Sequence, residues 1–152
     1  MTVGHALRAA TDADAANVAA LVDDAYEHWV ERLGIVPRPM TDNYAEVLER
    51  FRVSVAERDG QVAGLVVYGE DEEGFVVDNV AVEPSHRGSG VGRALLRHAE
   101  AAAKDAGFDS VYLYTHELMT ENIALYTRIG YVEYARRPVR DFHLVFMRKP
   151  LH

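Results

Sequence analysis

One stretch constrains the fold of this chain more than any other. An apolar run over residues 75–82 is interrupted only by Asp78 and Asn79. Glu83-Pro84-Ser85-His86-Arg87-Gly88-Ser89-Gly90-Val91-Gly92 follows it. An alanine-rich segment with helical spacing continues to Ala106, and a further alternating run covers residues 110–115. Strand, glycine loop, helix and strand in succession form a crossover unit, which makes the two strands parallel neighbours in one sheet. Gly88, Gly90 and Gly92 stand where the first strand hands over to the helix. Lacking Cβ atoms, they let the backbone take left-handed dihedrals and approach a ligand closely. The first N–H groups of the helix point into the same space, with the positive end of the helix dipole behind them. That arrangement suits a phosphate or pyrophosphate. Arg87 adds a guanidinium fork at the mouth.

The ligand narrows by elimination. A dinucleotide fingerprint counted from Gly88 needs a third glycine at position 93, which is arginine, and no Gly-Lys-Ser/Thr of a P-loop occurs. What remains is Arg87-x-x-Gly90-x-Gly92, or else a glycine-rich turn that binds nothing.

Composition excludes other classes. The 152 residues suit one α/β domain, 1–152, with room for a real core. There is no cysteine, so disulfides, cysteine-ligated metals and a cysteine nucleophile are all ruled out. No apolar run approaches a membrane span and the N-terminus has no signal-peptide pattern, so the expected location is cytoplasmic. The formal charge of −8 argues against nucleic acid as a partner. It is either a solubility feature or a weak attraction for a cationic amine.

The remaining elements follow from periodicity. Residues 3–8 form a first strand. A helix begins at Thr11 and carries Val18, Val22, Ala25, Trp29 and Leu33 on one face until Gly34. Pro37 and Pro39 forbid regular helix over 35–40, and Thr41 or Asp42 caps a short second helix. Residues 51–57 and 61–68 pair through an Asp59-Gly60 hairpin turn. The helix after the glycine loop buries Val91, Leu95, Ala99, Ala102 and Ala106. Thr120 caps a short helix running to Arg128, and two strands, 131–137 and 143–148, complete the chain.

Two motifs at this separation resemble the GNAT superfamily of N-acetyltransferases over essentially the whole chain. One is Asp78-Asn79-Val80-Ala81-Val82 with the Arg87–Gly92 loop. The other is Asn122-Ile123-Ala124-Leu125-Tyr126 with Ile129-Gly130-Tyr131. The resemblance implies an α/β (α+β) fold with a mixed, mostly antiparallel sheet of six to seven strands and about four helices. Its fourth strand is bulged and splays from the fifth. It implies acetyl-CoA as acyl donor and a small-molecule or peptide amine as acceptor, attacked directly in a ternary complex. A homodimer through terminal strands or helices is also implied. By the same resemblance Val80, Ala81 and Val82 hold the pantetheine arm, and Val80 N–H steadies the thioester oxygen. The backbone amides of Arg87, Gly88, Ser89, Gly90, Val91 and Gly92 hold the pyrophosphate, and Tyr126 protonates the departing thiolate. The family's asparagine seven residues before the tyrosine is Met119 here; Asn122, on the face of Tyr126, is the substitute.

The proton acceptor is Glu117, just past the fifth strand, or Asp78. Alternation puts Asp78 on the face of Val76 and Val80, with Asn79 on the other. On the acceptor side, Arg38 and Tyr44 from the proline-stiffened connection and His116 are the candidate contacts, while Tyr26 and Trp29 are either pocket or core. The three arginines at 136, 137 and 140 meet either the CoA phosphates or solvent. No histidine pair has ligand spacing, so no metal is expected. The alternative function is an acyl-CoA-binding sensor that transfers nothing.

Overall fold

The computed structural model describes residues 6–151. β1 (Ala6–Ala9) is the described end of the first expected strand, whose residues 3–5 lie outside the described ones. α1 (Ala15–Leu33) starts later than Thr11, because a 3₁₀ turn over Asp12–Asp14 comes first. Asp14 explains the delay. Its carboxylate accepts from the Thr11 amide at 2.7 Å and from the Arg8 fork at 2.8 and 2.9 Å, which locks the turn. α1 buries Val18, Leu21, Val22, Ala25 and Trp29, and Gly34 ends it in the left-handed conformation at φ 66°.

α2 (Tyr44–Arg50) is capped by Asn43, whose side chain accepts from the amides of Ala45 and Glu46. Thr41 and Asp42, the expected caps, are engaged elsewhere. The Thr41 hydroxyl donates to Arg38 O at 2.6 Å inside a 3₁₀ turn over Arg38–Thr41, and Asp42 pairs with Arg38 at 2.6 Å.

β2 (Arg52–Arg58) and β3 (Gln61–Asp71) meet at the predicted turn, with Asp59 and Gly60 both at positive φ. β4 (Gly74–Val82) returns after only two turn residues, so β3 runs past the expected end at 68. The glycine loop then leads into α3 (Val91–Asp105), β5 (Ser110–His116), α4 (Thr120–Arg128), β6 (Val132–Val139) and β7 (Phe142–Pro150). Thr120 is already helical in α4; Met119 holds the cap position. Among the described residues the sheet has seven strands in the order β1-β2-β3-β4-β5-β7-β6. Only β4 and β5 are parallel, which gives the mixed, mostly antiparallel sheet expected of the chain.

Two apolar layers cover the sheet. α1 and α2 pack Val18, Val22 and Val47 against Val53, Val55, Leu65 and Val67. α3 and α4 pack Leu95, Ala99 and Tyr126 against Val66, Val77, Leu113 and Met147. The α3 stripe runs through Leu96 and Ala103 rather than Ala102 and Ala106. Ala106 is exposed because the helix has ended. α3 sits unusually close to β3: a Cβ on Gly64 would lie 2.8 Å from Val91 Cγ1 and 3.0 Å from Ala81 O.

The feature that opens the sheet lies in β4. Its register with β3 pairs Val67 with Asn79 and Tyr68 with Val77, leaving Asp78 as an extra, bulged residue. The β4–β5 ladder pairs only Phe75–Val111, Val76–Tyr112 and Val77–Leu113. It stops at the bulge, and the two strands part beyond it.

Candidate active site

Alternation along the β3–β4 ladder decides which backbone groups of β4 face the gap. Glu83 N donates to Ala63 O at 2.8 Å, so that pair is a hydrogen-bonded one. Counting back in register, Leu65–Ala81 and Val67–Asn79 are also bonded pairs, while Gly64–Val82 and Val66–Val80 are not. The backbone N–H and C=O of Val80 and Val82 therefore point away from β3 into the space that β5 has vacated. Those of Ala81 are spent on Leu65, and its side chain packs toward α1. Of the three residues expected to hold an acyl arm, Val80 and Val82 turn their main-chain groups away from β3, with Val80 O already 3.3 Å from Tyr26 OH; Ala81 only lines the wall.

The gap opens into a cleft of about 440 Å³ bounded by Val80, Val82, the Gly88–Gly92 turn, and Asn122, Leu125 and Tyr126 of α4. Gly88 and Gly90 have φ of 77° and 89°, so the left-handed dihedrals anticipated for the loop are present. Gly90 is the N-cap of α3, and the first helical bond of that turn is Ala94 N to Gly90 O. The amides of the first turn have no intrahelical acceptor, and no acidic side chain stands there to compete with an anion. Gly92 brings α3 against β4; a Cβ there would lie 3.2 Å from Val82 Cγ2.

Two loop side chains are engaged within the protein. The Ser89 hydroxyl turns inward and donates to His86 O, so it braces the turn and does not line the cleft. The Arg87 guanidinium reaches across to α1, donating to Ala25 O at 2.7 Å and standing 3.3 Å from His28 Nδ1. It remains on the cleft wall. Burial, and then the charge of Arg87, hold the His28 imidazole below its usual pKa. Arg32 of α1 and Glu121 of α4 pair across the outer part of the cleft.

A smaller cavity of about 50 Å³ lies on the other side of Tyr26, Val80, Asn122 and Tyr126, which line both spaces. Pro37, Arg38 and Pro39 cover it, and Asp78, Tyr114 and His116 contribute polar wall. Tyr126 is the junction. Its side chain is 9% exposed, its ring meets Tyr131 edge-on at 6.0 Å, and its hydroxyl has no hydrogen-bond partner among the described residues. Burial pushes this phenol up to about 12, so it stays protonated at neutral pH. Asn122, four residues earlier, lies beside it and donates to Met119 Sδ at 3.6 Å. Met119 thus stands next to Asn122 at the position where the family pattern has asparagine.

The other expected site residues separate into three groups. Asp78 reaches the small cavity, but its carboxylate is already engaged: Tyr114 OH donates to Oδ1, and Arg38 lies 3.3 Å from Oδ2. Alternation placed Asp78 correctly with Val76, on the Tyr114 side, but misassigned Asn79 and Val80, because the bulge turns Asp78 and Asn79 to the same side. Val80 instead packs with the α3 cluster. Arg38 reaches the cavity too, held by Asp42, Asp78 and the face of Tyr114 at 5.6 Å. His116 lines the cavity, and its Nδ1 accepts from Leu118 N at 3.1 Å, which leaves Nε2 as the protonated nitrogen of the neutral ring. Burial lowers its pKa. Tyr44 and Glu117 line neither space. Tyr44 is buried at 4% exposure and donates to Pro39 O at 2.7 Å, so it supports the cover and does not contact a substrate. Glu117 is half-buried at the end of β5, its amide bonded to His143 O. Arg136 and Arg137 pair with Glu133 and Glu73, away from both spaces. Asn79 and Tyr26, which the sequence did not single out as a pair, are joined at 2.7 Å. Only the position of Asn79 beside the bulge could have flagged it. Among the described residues no cluster of His, Asp or Glu is placed to hold a metal, and no helix is long and apolar enough to cross a membrane.

A parallel strand pair that parts at a bulge, main-chain groups turned into the gap and an open helix N-terminus beyond it define an acyl-CoA-binding α/β fold. Comparison with known proteins makes the class specific. The model of the GNAT acetyltransferase family matches residues 18–131, and the chain belongs to that family. It is 35% identical over 107 residues to an IAA acetyltransferase of Azospirillum brasilense, covering 66% of this chain and 69% of that one. It is 33% identical over 75 residues to a streptothricin acetyltransferase of Streptomyces lavendulae; that match spans 48% of this chain and only 40% of the relative. Among solved structures, the ribosomal-protein-alanine N-acetyltransferase of Brucella melitensis superposes with a TM-score of 0.73 at 29% identity, covering 96% of this chain and 99% of the other. The family is one of acetyltransferases, and acetyl-CoA is the acyl donor it uses.

Proposed function

We propose that the protein transfers the acetyl group of acetyl-CoA to a primary amine, by direct attack of the amine on the thioester in a ternary complex. The observation that carries this is Tyr126: a buried, protonated hydroxyl without a protein partner, on the wall shared by the two cavities. The first-turn amides of α3 and the Gly88–Gly92 turn hold the pyrophosphate, and Val80 and Val82 hold the pantetheine arm. Val80 N–H donates to the thioester oxygen as negative charge develops there. Tyr126 gives its proton to the departing thiolate. The ammonium proton of the acceptor passes through water to Asp78, the carboxylate on the wall of the small cavity. Glu117 stands beyond that wall and takes no part. An amine acceptor also agrees with the name of the Brucella relative, a ribosomal-protein-alanine N-acetyltransferase. On this reading the acceptor is a small-molecule or peptide amine, and the protein works in the cytoplasm without nucleic acid or membrane. It pairs with a second copy through the exposed edge of β6, where Val132, Tyr134 and Val139 are uncovered; sedimentation tests the pairing.

The test is release of free CoA thiol from acetyl-CoA over a panel of polyamines, aminoglycosides, amino acids and peptide N-termini. Turnover with one class supports transfer. Measurable CoA binding with no thiol release from any amine would replace transfer with an acyl-CoA sensor. Asp78→Asn is expected to lower kcat, and Glu117→Gln to leave it unchanged; the opposite pattern would exchange the two roles.

A further inference from the structure

A bulge leaves backbone groups without ladder partners, and the bulge of β4 is held by side chains from outside the sheet. Arg38 Nη2 donates to Asp78 O at 2.9 Å, which satisfies the carbonyl of the bulged residue. Asn79, 5% exposed, is held at both ends of its amide. Its Oδ1 accepts from Tyr26 OH at 2.7 Å, and its Nδ2 donates to Tyr44 OH at 3.2 Å. Tyr44 OH in turn donates to Pro39 O, and Tyr26 OH also lies 3.3 Å from Val80 O. The donors and acceptors therefore run in one sense from Asn79 through Tyr44 to the proline turn, and from Tyr26 back to Asn79. This chain ties α1, α2 and the cover of the small cavity to the residue immediately before Val80.

We propose that Asn79 is a positioning residue for acetyl transfer: its amide, clamped between Tyr26 and Tyr44, sets the twist of β4 at the bulge and so aims the Val80 N–H. The proposal rests on the acetyl-transfer function above. At the bulge Asp78 has no register partner in β3 or β5, so side-chain bonds on either side of it help to set how β4 continues toward Val80. The Gly88–Gly92 turn makes none of these bonds, and Arg87 meets α1 one residue away from Tyr26, at Ala25 O. Loss of the clamp therefore falls more heavily on the group that acts as charge develops than on ground-state binding of the cofactor. A donor displaced by a fraction of an ångström to an ångström costs roughly tenfold to a hundredfold in rate.

The experiment compares Asn79→Leu, Tyr44→Phe and the double variant with the wild type in the thiol-release assay. Acetyl-CoA titration calorimetry and amide hydrogen exchange at Val80 are run without acceptor. Tyr44 is the informative partner because it lines neither cavity and cannot act by touching a substrate. The expected result is a fall in kcat of about tenfold or more for Asn79→Leu. Acetyl-CoA affinity falls less than kcat, binding stoichiometry stays near the wild-type value, and acetyl-CoA protects the Val80 amide less than it does in the wild type. Tyr44→Phe lowers kcat in the wild-type background and adds little in the Asn79→Leu background, because the two share one network. An unchanged kcat would overturn the proposal. So would a kcat loss matched by a loss of binding sites, which is misfolding, or losses that simply multiply in the double variant. Absence of turnover in the wild type would refute the transfer function instead, and weakened protection of Val80 would still be read from the exchange experiment.

Discussion

Gly64→Ala tests whether the cofactor cleft is set by close contact between α3 and the sheet. The added Cβ would lie 2.8 Å from Val91 Cγ1, 3.0 Å from Leu95 Cδ1 and 3.0 Å from Ala81 O. Leu95 can swing its terminal methyl aside. Val91 is β-branched in a helix and has one favoured rotamer, so it yields poorly. Ala81 O belongs to the β3–β4 ladder and cannot move without breaking it. α3 must therefore lift from β3, beginning at its first residue. Forcing a methyl into a core this tight costs about 1–3 kcal/mol. For a domain of this length that lowers Tm by roughly 2–12 °C. Because Val91 follows Gly90 directly, the same displacement carries the first-turn amides away from the pyrophosphate, and acetyl-CoA affinity falls together with stability. Thermal unfolding followed by circular dichroism, with calorimetric acetyl-CoA titration at a temperature where both proteins are folded, reads the two effects. A stable variant with unchanged Tm would show that α3 is not packed against β3 as described. A lower Tm with unchanged affinity would separate the cleft from this contact.

Four further outcomes follow from the same geometry. Tyr126→Phe is expected to lower kcat by about 10²-fold or more with little change in acetyl-CoA KM. With the phenol pushed up to about 12 by burial, the wild type should show no alkaline loss of kcat attributable to this acid below about pH 11; an unchanged kcat on a substrate whose chemistry is rate-limiting removes Tyr126 from the mechanism. Gly90→Val places a β-branched residue at φ 89° on the cap of α3, and should raise acetyl-CoA KM while leaving the acceptor KM alone; a normal acetyl-CoA KM would mean the pyrophosphate binds elsewhere. Arg38→Ala frees the cover of the small cavity and should raise the acceptor KM more than that of acetyl-CoA, and equal effects on both would contradict the two-cavity assignment. Asp14 is held well below the usual carboxylate pKa, first by the Arg8 side chain and then by the Thr11 amide, so its contribution is present above its unfolded pKa of about 4 and is lost as the pH falls below it. Asp14→Asn should therefore flatten the acid side of the stability curve, and an unaltered acid transition would show that the Arg8–Asp14 pair carries none of it.

Much of the fold was legible because its signals are local. The hairpin at Asp59-Gly60 needs positive φ at both residues, and that dipeptide supplies it at low cost. Gly34 ends α1 for the same reason. The stripe of α1 and the β4–α3–β5 crossover follow from spacing alone. The cap of α2 was misread at Thr41 and Asp42 because both find competing partners in Arg38, forty residues from the strand that Arg38 also holds. The glycine turn at the head of α3 was legible, but the directions of the Ser89 and Arg87 side chains were not. Those depend on His86 O nearby and on Ala25 O in a helix distant in sequence.

By itself, then, the sequence determined the order of the elements, the parallel pair, the glycine turn at the head of α3 and the tyrosine late in the chain. Each is encoded by a short spacing or a single dihedral requirement. Only the tertiary structure decided where the strands part, because a one-residue bulge at Asp78 inverts the alternation that a sequence reader must assume. That inversion sends Asp78 and Asn79 to one side together, turns the main chain of Val80 and Val82 into the gap, and withdraws Tyr44 from the pocket to brace its cover. The physical reason is that a bulge has no residue signature here. It is stabilised by partners from α1, α2 and β5 that meet only once the chain has folded.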